Sequence, residues 1–170
     1  MPWVRFYRKI ERKIKENNTM EVKEVMQKEV ITVQADMSVT EAALVLLKHS
    51  ITGVPVIDQD EKLVGVVSEK DIFKYLYPEY REYYSFLGFD KEKSNIQEKI
   101  KEGRDEKVSQ IMTRNVVYVA PHDSVVRVGA LMIMKKIHRV MVVDKGKLVG
   151  VVGRRDVYHQ VFEKAIGNEK

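Results

Sequence analysis

The sequence predicts an α+β fold built from two tandem repeats, each with the order strand, helix, strand, strand, helix. The first observation behind this prediction is a duplicated motif: KLVGVVSEKDIF at residues 62–73 returns as KLVGVVGRRDVY at residues 147–158. The second is that two stretches between residues 22 and 58 match stretches between residues 108 and 144 at a shift of 86 positions. One repeat is too small to bury both faces of its sheet, so we expect the copies to pack with pseudo-twofold symmetry.

The first strand and helix of each repeat follow from local patterns. The β-branched run at residues 30–33 predicts a short strand, and Ser38 with Glu41 three residues later is a capping-box signature that begins a helix. In the second copy Arg127 stands where the glutamate would be. Apolar residues at i, i+3, i+4, i+7 and i+8 predict one buried face on each helix. They are Val39, Ala42, Ala43, Leu46 and Leu47 in the first copy, and Val125, Val128, Gly129, Met132 and Ile133 in the second.

Two further strands and a helix complete each predicted repeat. The segments VPVI and LVGVV indicate buried strands in the first copy, joined by the turn DQDEK, and the second copy has the shorter turn DKGK. The final helix is expected to begin around Asp71 in the first copy and Asp156 in the second. Each repeat therefore places a carboxylate just after its last strand.

Composition narrows the classes of function. The absence of cysteine removes disulfides, thiolate metal sites and a cysteine nucleophile. The four histidines show no metal-ligand spacing, and no Gly-rich phosphate loop or Ser-His-Asp grouping stands out. No uncharged apolar run approaches the ~18 residues of a membrane helix, and no signal-peptide pattern follows the basic N-terminus. We therefore expect a soluble, cytoplasmic protein that is not an enzyme, has no catalytic residues and holds no metal or cofactor.

The repeat boundaries divide the chain into five predicted segments. Residues 1–19 form a basic amphipathic helix, residues 20–77 the first repeat, residues 78–106 a helical excursion, residues 107–165 the second repeat and residues 166–170 a tail. The N-terminal helix has three candidate roles: packing on repeats of its own or a partner chain, lying on a membrane surface, or contacting nucleic acid. The aromatic excursion could cover a cleft or extend a dimer interface.

Charge is distributed unevenly between the two copies. Residues 20–73 carry five Lys/Arg against ten Asp/Glu, whereas residues 108–158 carry nine against three. The contrast would let the copies attract each other, or let the second copy supply most of the groups that meet an anion.

The repeated segments resemble a cystathionine β-synthase (CBS) domain pair, also called a Bateman module, of the stand-alone type. The resemblance rests on VMQKEVITV, HSITGVPVID and LVGVVSEKD in the first copy and on IMTRNVVYV, IHRVMVVD and LVGVVGRRD in the second. It implies a regulatory module that binds AMP, ADP, ATP or S-adenosylmethionine in the cleft between the repeats and signals by a conformational or dimer-geometry change. A homodimer and an unidentified regulated protein are the implied partners.

The repeated aspartates have two candidate roles. An aspartate at the start of a helix can cap orphan backbone N–H groups and favour the helix dipole. By resemblance to the family, Asp71 and Asp156 would each accept hydrogen bonds from the hydroxyls of one ribose.

Candidate phosphate or polar-tail groups differ between the copies. Ser68 matches the hydroxyl of the family's S/T-x-x-D pattern, and Gly153 breaks that pattern in the second copy. The second copy instead gains Arg154 and Arg155, which either bind phosphate oxygens in pairs or form a solvated helix start. By resemblance to the family, His138 and Arg139 would also contact phosphates. We therefore predict inequivalent sites, with the anionic tail of the ligand drawn mainly to the second copy.

The resemblance also implies base contacts, made largely by backbone groups and apolar side chains. The candidates are Ile31, Thr32, Val54 and Pro55 in one site, and Val117, Tyr118, Val140 and Met141 in the other. The alternative function is a ligand-free dimerisation scaffold or a nucleic-acid-binding accessory that uses the basic N-terminal helix. Net charge by itself does not favour a nucleic-acid partner.

Overall fold

The computed structural model describes residues 20–76, 100–101 and 104–166, with side chains described up to residue 163. The predicted mixed α+β class is confirmed, because each copy contains a three-stranded sheet with helices between and after its strands. The predicted N-terminal helix, most of the inter-repeat excursion and the tail lie outside the described residues. The pseudo-twofold packing of the copies stays a prediction.

One compact unit comprises Ile31–Val116. Its strands lie in the order β1-β2-β3, with β1 parallel to β2 and β2 antiparallel to β3. Its buried core takes side chains from the sheet, from the two helices of the repeat and from a short third helix. The elements are β1 (Val33–Gln34), α1 (Val39–His49), β2 (Gly53–Ile57), β3 (Leu63–Ser68), α2 (Glu69–Leu76) and α3 (Val108–Ile111).

The other compact unit combines the chain up to Val30 with the chain from Val117 onward. Its strands repeat the same topology, with β4 parallel to β5 and β5 antiparallel to β6. A 3₁₀ turn at Val22–Glu24 contributes Val22 to its core. The elements are β4 (Tyr118–Val119), α4 (Val125–Lys135), β5 (Arg139–Asp144), β6 (Lys147–Gly153) and α5 (Arg154–Ile166).

The first residues of each sequence repeat lie in the compact unit that contains the rest of the other repeat. These exchanged segments are residues 20–30 and residues 104–116. Gln27 exchanges two backbone hydrogen bonds with Val151 of β6, at 2.9 and 3.0 Å. At the equivalent place in the other unit, Thr113 exchanges two such bonds with Val66 of β3, also at 2.9 and 3.0 Å. The duplication in the sequence and the packing units of the structure therefore do not share the same boundaries.

This exchanged segment explains the glycine in the repeated LVGVV motif. A Cβ built on Gly65 would lie 2.9 Å from Cγ of Met112, and one built on Gly150 would lie 2.7 Å from Sδ of Met26. These distances are shorter than carbon–carbon and carbon–sulfur contacts tolerate, so a side chain at either position would require the crossing methionine to move.

Two sequence predictions need correction. The first strand, expected at residues 30–33, begins at Val33 and ends at Gln34, because parallel pairing with β2 starts only at Val33. The last apolar position of each helix, Leu47 on α1 and Ile133 on α4, is 72% and 76% exposed instead of buried. At about 100° per residue, the eighth position after the first lies about 80° from it, outside the stripe that faces the core.

The ends of the first helices follow side-chain and backbone chemistry. The predicted capping box is confirmed on α1, where Ser38 Oγ accepts the Glu41 N–H at 3.2 Å and Glu41 Oε2 accepts the Ser38 N–H at 3.0 Å. The Ser38 hydroxyl also donates to Glu41 Oε2 at 2.8 Å, and this hydrogen bond, together with the one from the Ser38 N–H, lowers the pKa of Glu41. Both helices end on a left-handed residue that is not glycine: Ser50 at φ 52° and Lys136 at φ 54°. A Cβ is unfavourable in that conformation.

We expect Gly65→Ala and Gly150→Ala each to lower the free energy of unfolding by about 1–3 kcal/mol through overpacking against the crossing methionine. Urea denaturation followed by circular dichroism measures this change. Gly53→Ala is the matched control, because a Cβ there meets its nearest atom, the Val67 carbonyl oxygen, at an ordinary 3.4 Å. Loss of stability in Gly53→Ala equal to that in Gly65→Ala would contradict the explanation.

We expect Ser50→Gly and Lys136→Gly each to stabilise the fold, by a few tenths to about 1 kcal/mol, because glycine adopts the left-handed C-cap without strain. Thermal unfolding measures the shift in Tm. Lys135→Gly, one residue earlier in the helical turn, should instead lower stability by roughly 0.5–1 kcal/mol. A fall in Tm for both C-cap variants would refute this account of the helix ends.

Candidate functional site

In the first copy, the repeated aspartate lies at the third position of the helix that follows the last strand. Strand β3 ends at Ser68, and α2 begins at the next residue, so Asp71 occupies the first turn. Oδ2 of Asp71 accepts the Ser68 N–H at 2.9 Å and also the Ser68 hydroxyl. Ser68 Oγ lies 3.3 Å from the Asp71 N–H, which closes a reciprocal cap. The capping role considered from sequence is therefore present in the structure.

The cap hydrogen bonds go to Oδ2 of Asp71, and by orienting the carboxylate they also fix the position of Oδ1. Within the described part of the chain, Oδ1 of Asp71 has no hydrogen-bond donor. The side chain is only partly buried. A carboxylate that is oriented by Ser68 and has one oxygen without a donor is a pre-organised acceptor for a ligand that carries hydroxyl groups.

The second copy builds the same aspartate position with different donors. Oδ2 of Asp156 accepts the Gly153 N–H at 2.8 Å, and Gly153 has no hydroxyl to add. The side-chain amide nitrogen of Gln27 lies 3.4 Å from Oδ1 and 3.5 Å from Oδ2 of Asp156. Sequence reasoning did not include Gln27. The available signal was its 86-residue offset from Thr113, which aligns the two positions in the repeat.

The strand register brings the predicted basic residues of the second copy to the same end of the sheet as Asp156. Arg139 is paired with Gly153, and the Arg154 N–H donates to the His138 carbonyl oxygen at 2.8 Å. The side chains of His138, Arg139, Arg154 and Arg155 are all exposed. Exposed guanidinium groups at this end of the sheet can meet an anion without a large desolvation cost.

The first copy lacks this cluster at the equivalent place. Gly53 is paired with Ser68, and the Glu69 N–H donates to the Thr52 carbonyl oxygen at 3.1 Å. A threonine and a glycine thus stand where the second copy has histidine and arginine. The backbone pairing around the two aspartates is therefore equivalent, whereas the residues at these two positions differ in charge.

The predicted base contacts divide by burial. Val54 and Val140 are fully buried in their own cores, and Pro55 and Met141 are buried as well. Their side chains already pack within the protein, so these four residues can offer a ligand mainly backbone atoms. Tyr118 is 61% exposed and paired with Met141. The remaining positions are partly buried: Ile31, Thr32 and Val117.

In the described residues, no group of three or more His, Cys, Asp or Glu side chains is arranged to hold a metal ion. None of the helices formed by those residues is long and apolar enough to cross a membrane.

Comparison with known proteins places both repeats in one family. The family model described as CBS domain matches residues 22–78 and 108–163. An uncharacterized protein of Methanocaldococcus jannaschii is 29% identical over 150 residues, which cover 81% of this chain and 89% of that protein.

Two solved structures share the fold and were determined with bound adenosine compounds. The Arabidopsis thaliana protein CBSX2 in complex with AMP is 27% identical, with a TM-score of 0.64 over 84% of this chain and 96% of that chain. The CBS domain pair of protein MJ0100, in complex with 5′-methylthioadenosine and S-adenosyl-L-methionine, is 27% identical, with a TM-score of 0.60 over 86% and 98% of the two chains. With the family model matching both repeats, the chain belongs to the CBS domain family and carries two copies of the domain.

Proposed function

We propose that this protein is a regulatory module that binds an adenine nucleotide or adenosyl ligand at the repeated aspartates. The observation that carries the proposal is the pre-organised carboxylate of Asp71, whose Oδ2 is held by Ser68 while Oδ1 has no donor among the described residues. The AMP complex of CBSX2 and the S-adenosylmethionine complex of MJ0100 support an adenosine-containing ligand.

The chemistry of the aspartates suits a ribose. A ribose presents two neighbouring hydroxyl donors, and an ionised carboxylate presents acceptor lone pairs on both oxygens. The cap hydrogen bond from the strand end orients the carboxylate before the ligand arrives, which reduces the entropy lost on binding. Asp71 and Asp156 are accordingly the proposed ribose contacts.

The rest of the ligand would meet different groups at the two sites. Ser68 offers a hydroxyl near the first aspartate, whereas the second copy offers the exposed side chains of His138, Arg139, Arg154 and Arg155. Arginine forks bind phosphate oxygens in pairs, so the nucleotide phosphate is proposed to lie near the second copy. The base is proposed to contact backbone atoms of the buried strands and the exposed ring of Tyr118.

We expect Asp71→Ala and Asp156→Ala each to weaken binding of AMP at one site by about tenfold to a hundredfold, because hydrogen bonds to a charged acceptor contribute about 1.5–3 kcal/mol. Isothermal titration calorimetry with AMP, ADP, ATP and S-adenosylmethionine measures the affinity and the number of sites. Each variant should also lose about 0.5–2 kcal/mol of stability with the helix cap.

Glu41→Ala separates the two effects. Glu41 closes a similar cap on α1 in the same copy, but no proposed ligand contact lies on that helix. It should lose comparable stability and retain full affinity. If Asp71→Ala and Asp156→Ala behaved like Glu41→Ala, the aspartates would be helix caps only. Failure of every adenosine compound to bind below the millimolar range would refute the proposed function.

Signalling by dimer geometry requires a surface that joins two copies of the chain. The face of each first helix that turns away from its core carries large apolar side chains: Leu44 and Leu47 on α1, and Ile133 and Met134 on α4. Apolar side chains grouped in this way on exposed helices are typical of association surfaces. Because the equivalent position in the repeat is exposed on both helices, we propose that a second copy of the chain covers them.

We expect Leu47→Glu combined with Ile133→Glu to shift the protein from dimer to monomer, since a buried, unpaired carboxylate opposes association. Light scattering coupled to size-exclusion chromatography measures the mass. Gln59→Glu is the control, because it adds a carboxylate in the exposed turn between β2 and β3. A mass equal to that of the wild type in the double variant would rule out this surface.

A further inference from the structure

The side chain of Gln27, which lies outside the repeated KLVGVV motif, contacts the carboxylate of Asp156 in the second copy. The amide nitrogen of Gln27 lies 3.4 Å from Oδ1 and 3.5 Å from Oδ2 of Asp156. Two backbone hydrogen bonds with Val151 hold Gln27 beside β6, so its side chain starts from a fixed position. The contact is therefore set by strand pairing rather than by a freely moving chain terminus.

The first copy has a different residue at this place. Thr113 makes the same pair of backbone bonds, with Val66 of β3. Its side chain is shorter than glutamine by two heavy atoms and has no amide. Within the described residues, Oδ1 of Asp71 has no donor, and the Ser68 hydroxyl donates to Oδ2 instead. In the second copy, where Gly153 has no hydroxyl, the Gln27 amide takes over as the second donor to the aspartate.

We infer that Gln27 competes with the ligand hydroxyls for Asp156, which makes the second site weaker than it would be without this side chain. This inference rests on the proposed function, because the competitor matters only if a nucleoside uses the carboxylate. A ligand must displace the amide from Oδ1 before it can make both ribose contacts. Its apparent association constant is therefore the intrinsic constant multiplied by the fraction of molecules in which Gln27 does not contact Asp156. The long donor–acceptor distances indicate a contact that a ligand can displace.

The competition raises the ligand concentration that is needed to fill the second site. Gln27 thereby sets the concentration at which the second site responds.

Nuclear magnetic resonance of the ligand-free protein tests the contact itself. The side-chain amide signal of Gln27, assigned by its disappearance in Gln27→Thr, should shift in Asp156→Ala because its acceptor is lost. The same signal should stay in place in Asp71→Ala, the matched control in the other copy. An unmoved signal in Asp156→Ala overturns the inference whatever the protein binds.

Titration with AMP tests the competition. In an Asp71→Ala background, which leaves the second site intact, Gln27→Thr should tighten binding by about two- to tenfold, the range of one net hydrogen bond. Gln27→Met, which keeps the length of the side chain but removes the donor, should act in the same direction. In an Asp156→Ala background, Thr113→Gln should weaken the first site by a similar factor. Circular dichroism confirms that each variant is folded.

The outcomes separate the inference from the proposed function. Unchanged affinity in both Gln27 variants overturns the competition, and weakened affinity overturns it by making Gln27 a ligand contact. If neither AMP nor ADP, ATP or S-adenosylmethionine bound to any of the proteins, including the wild type, the proposed function would be wrong and the competition with it. AMP binding at both aspartates without any effect of Gln27 would leave the proposed function standing and refute the competition alone.

Discussion

The structure depends on a close crossing between each exchanged segment and the strand of the other copy. Met26 and Met112 cross β6 and β3 at Gly150 and Gly65, where a single extra carbon would collide. The crossing buries Val22 and Val108 completely and aligns the backbone pairs on either side. Since interiors are packed at the density of organic crystals, this contact fixes how far each segment can slide. It also sets the position from which the Gln27 side chain extends.

The elements that could be predicted from the sequence are those whose pattern is local. The capping box at Ser38, the strands around VPVI and LVGVV, and the turns between them depend on neighbours within a few residues, and the structure contains them. The exchange of segments could not be inferred, because similarity between two repeats shows what is duplicated and not which copy each piece packs against. The Gln27–Asp156 contact was missed for the same reason, since it joins residues 129 positions apart.

One aspartate serves structure and is proposed to serve ligand binding as well. Oδ2 of Asp71 closes the cap of α2, and the oxygen beside it remains for a ligand. The helix start thus holds the binding group still, and loss of the group affects both stability and affinity. Within each unit, strand pairing brings the predicted polar residues to one end of the sheet, while burial limits Val54 and Val140 to backbone roles.

The exchange of segments has a consequence for how such a protein can be divided. Cutting the chain between the repeats separates residues 20–30 from the sheet they complete, and residues 104–116 from theirs. Neither half carries a full complement of core side chains on its own. Two isolated halves could regain the native contacts only by associating and exchanging these segments between two separate chains, as domain-swapped dimers do. In the intact chain the two repeats are covalently joined, so the segments exchange within one molecule and the exchange does not depend on protein concentration.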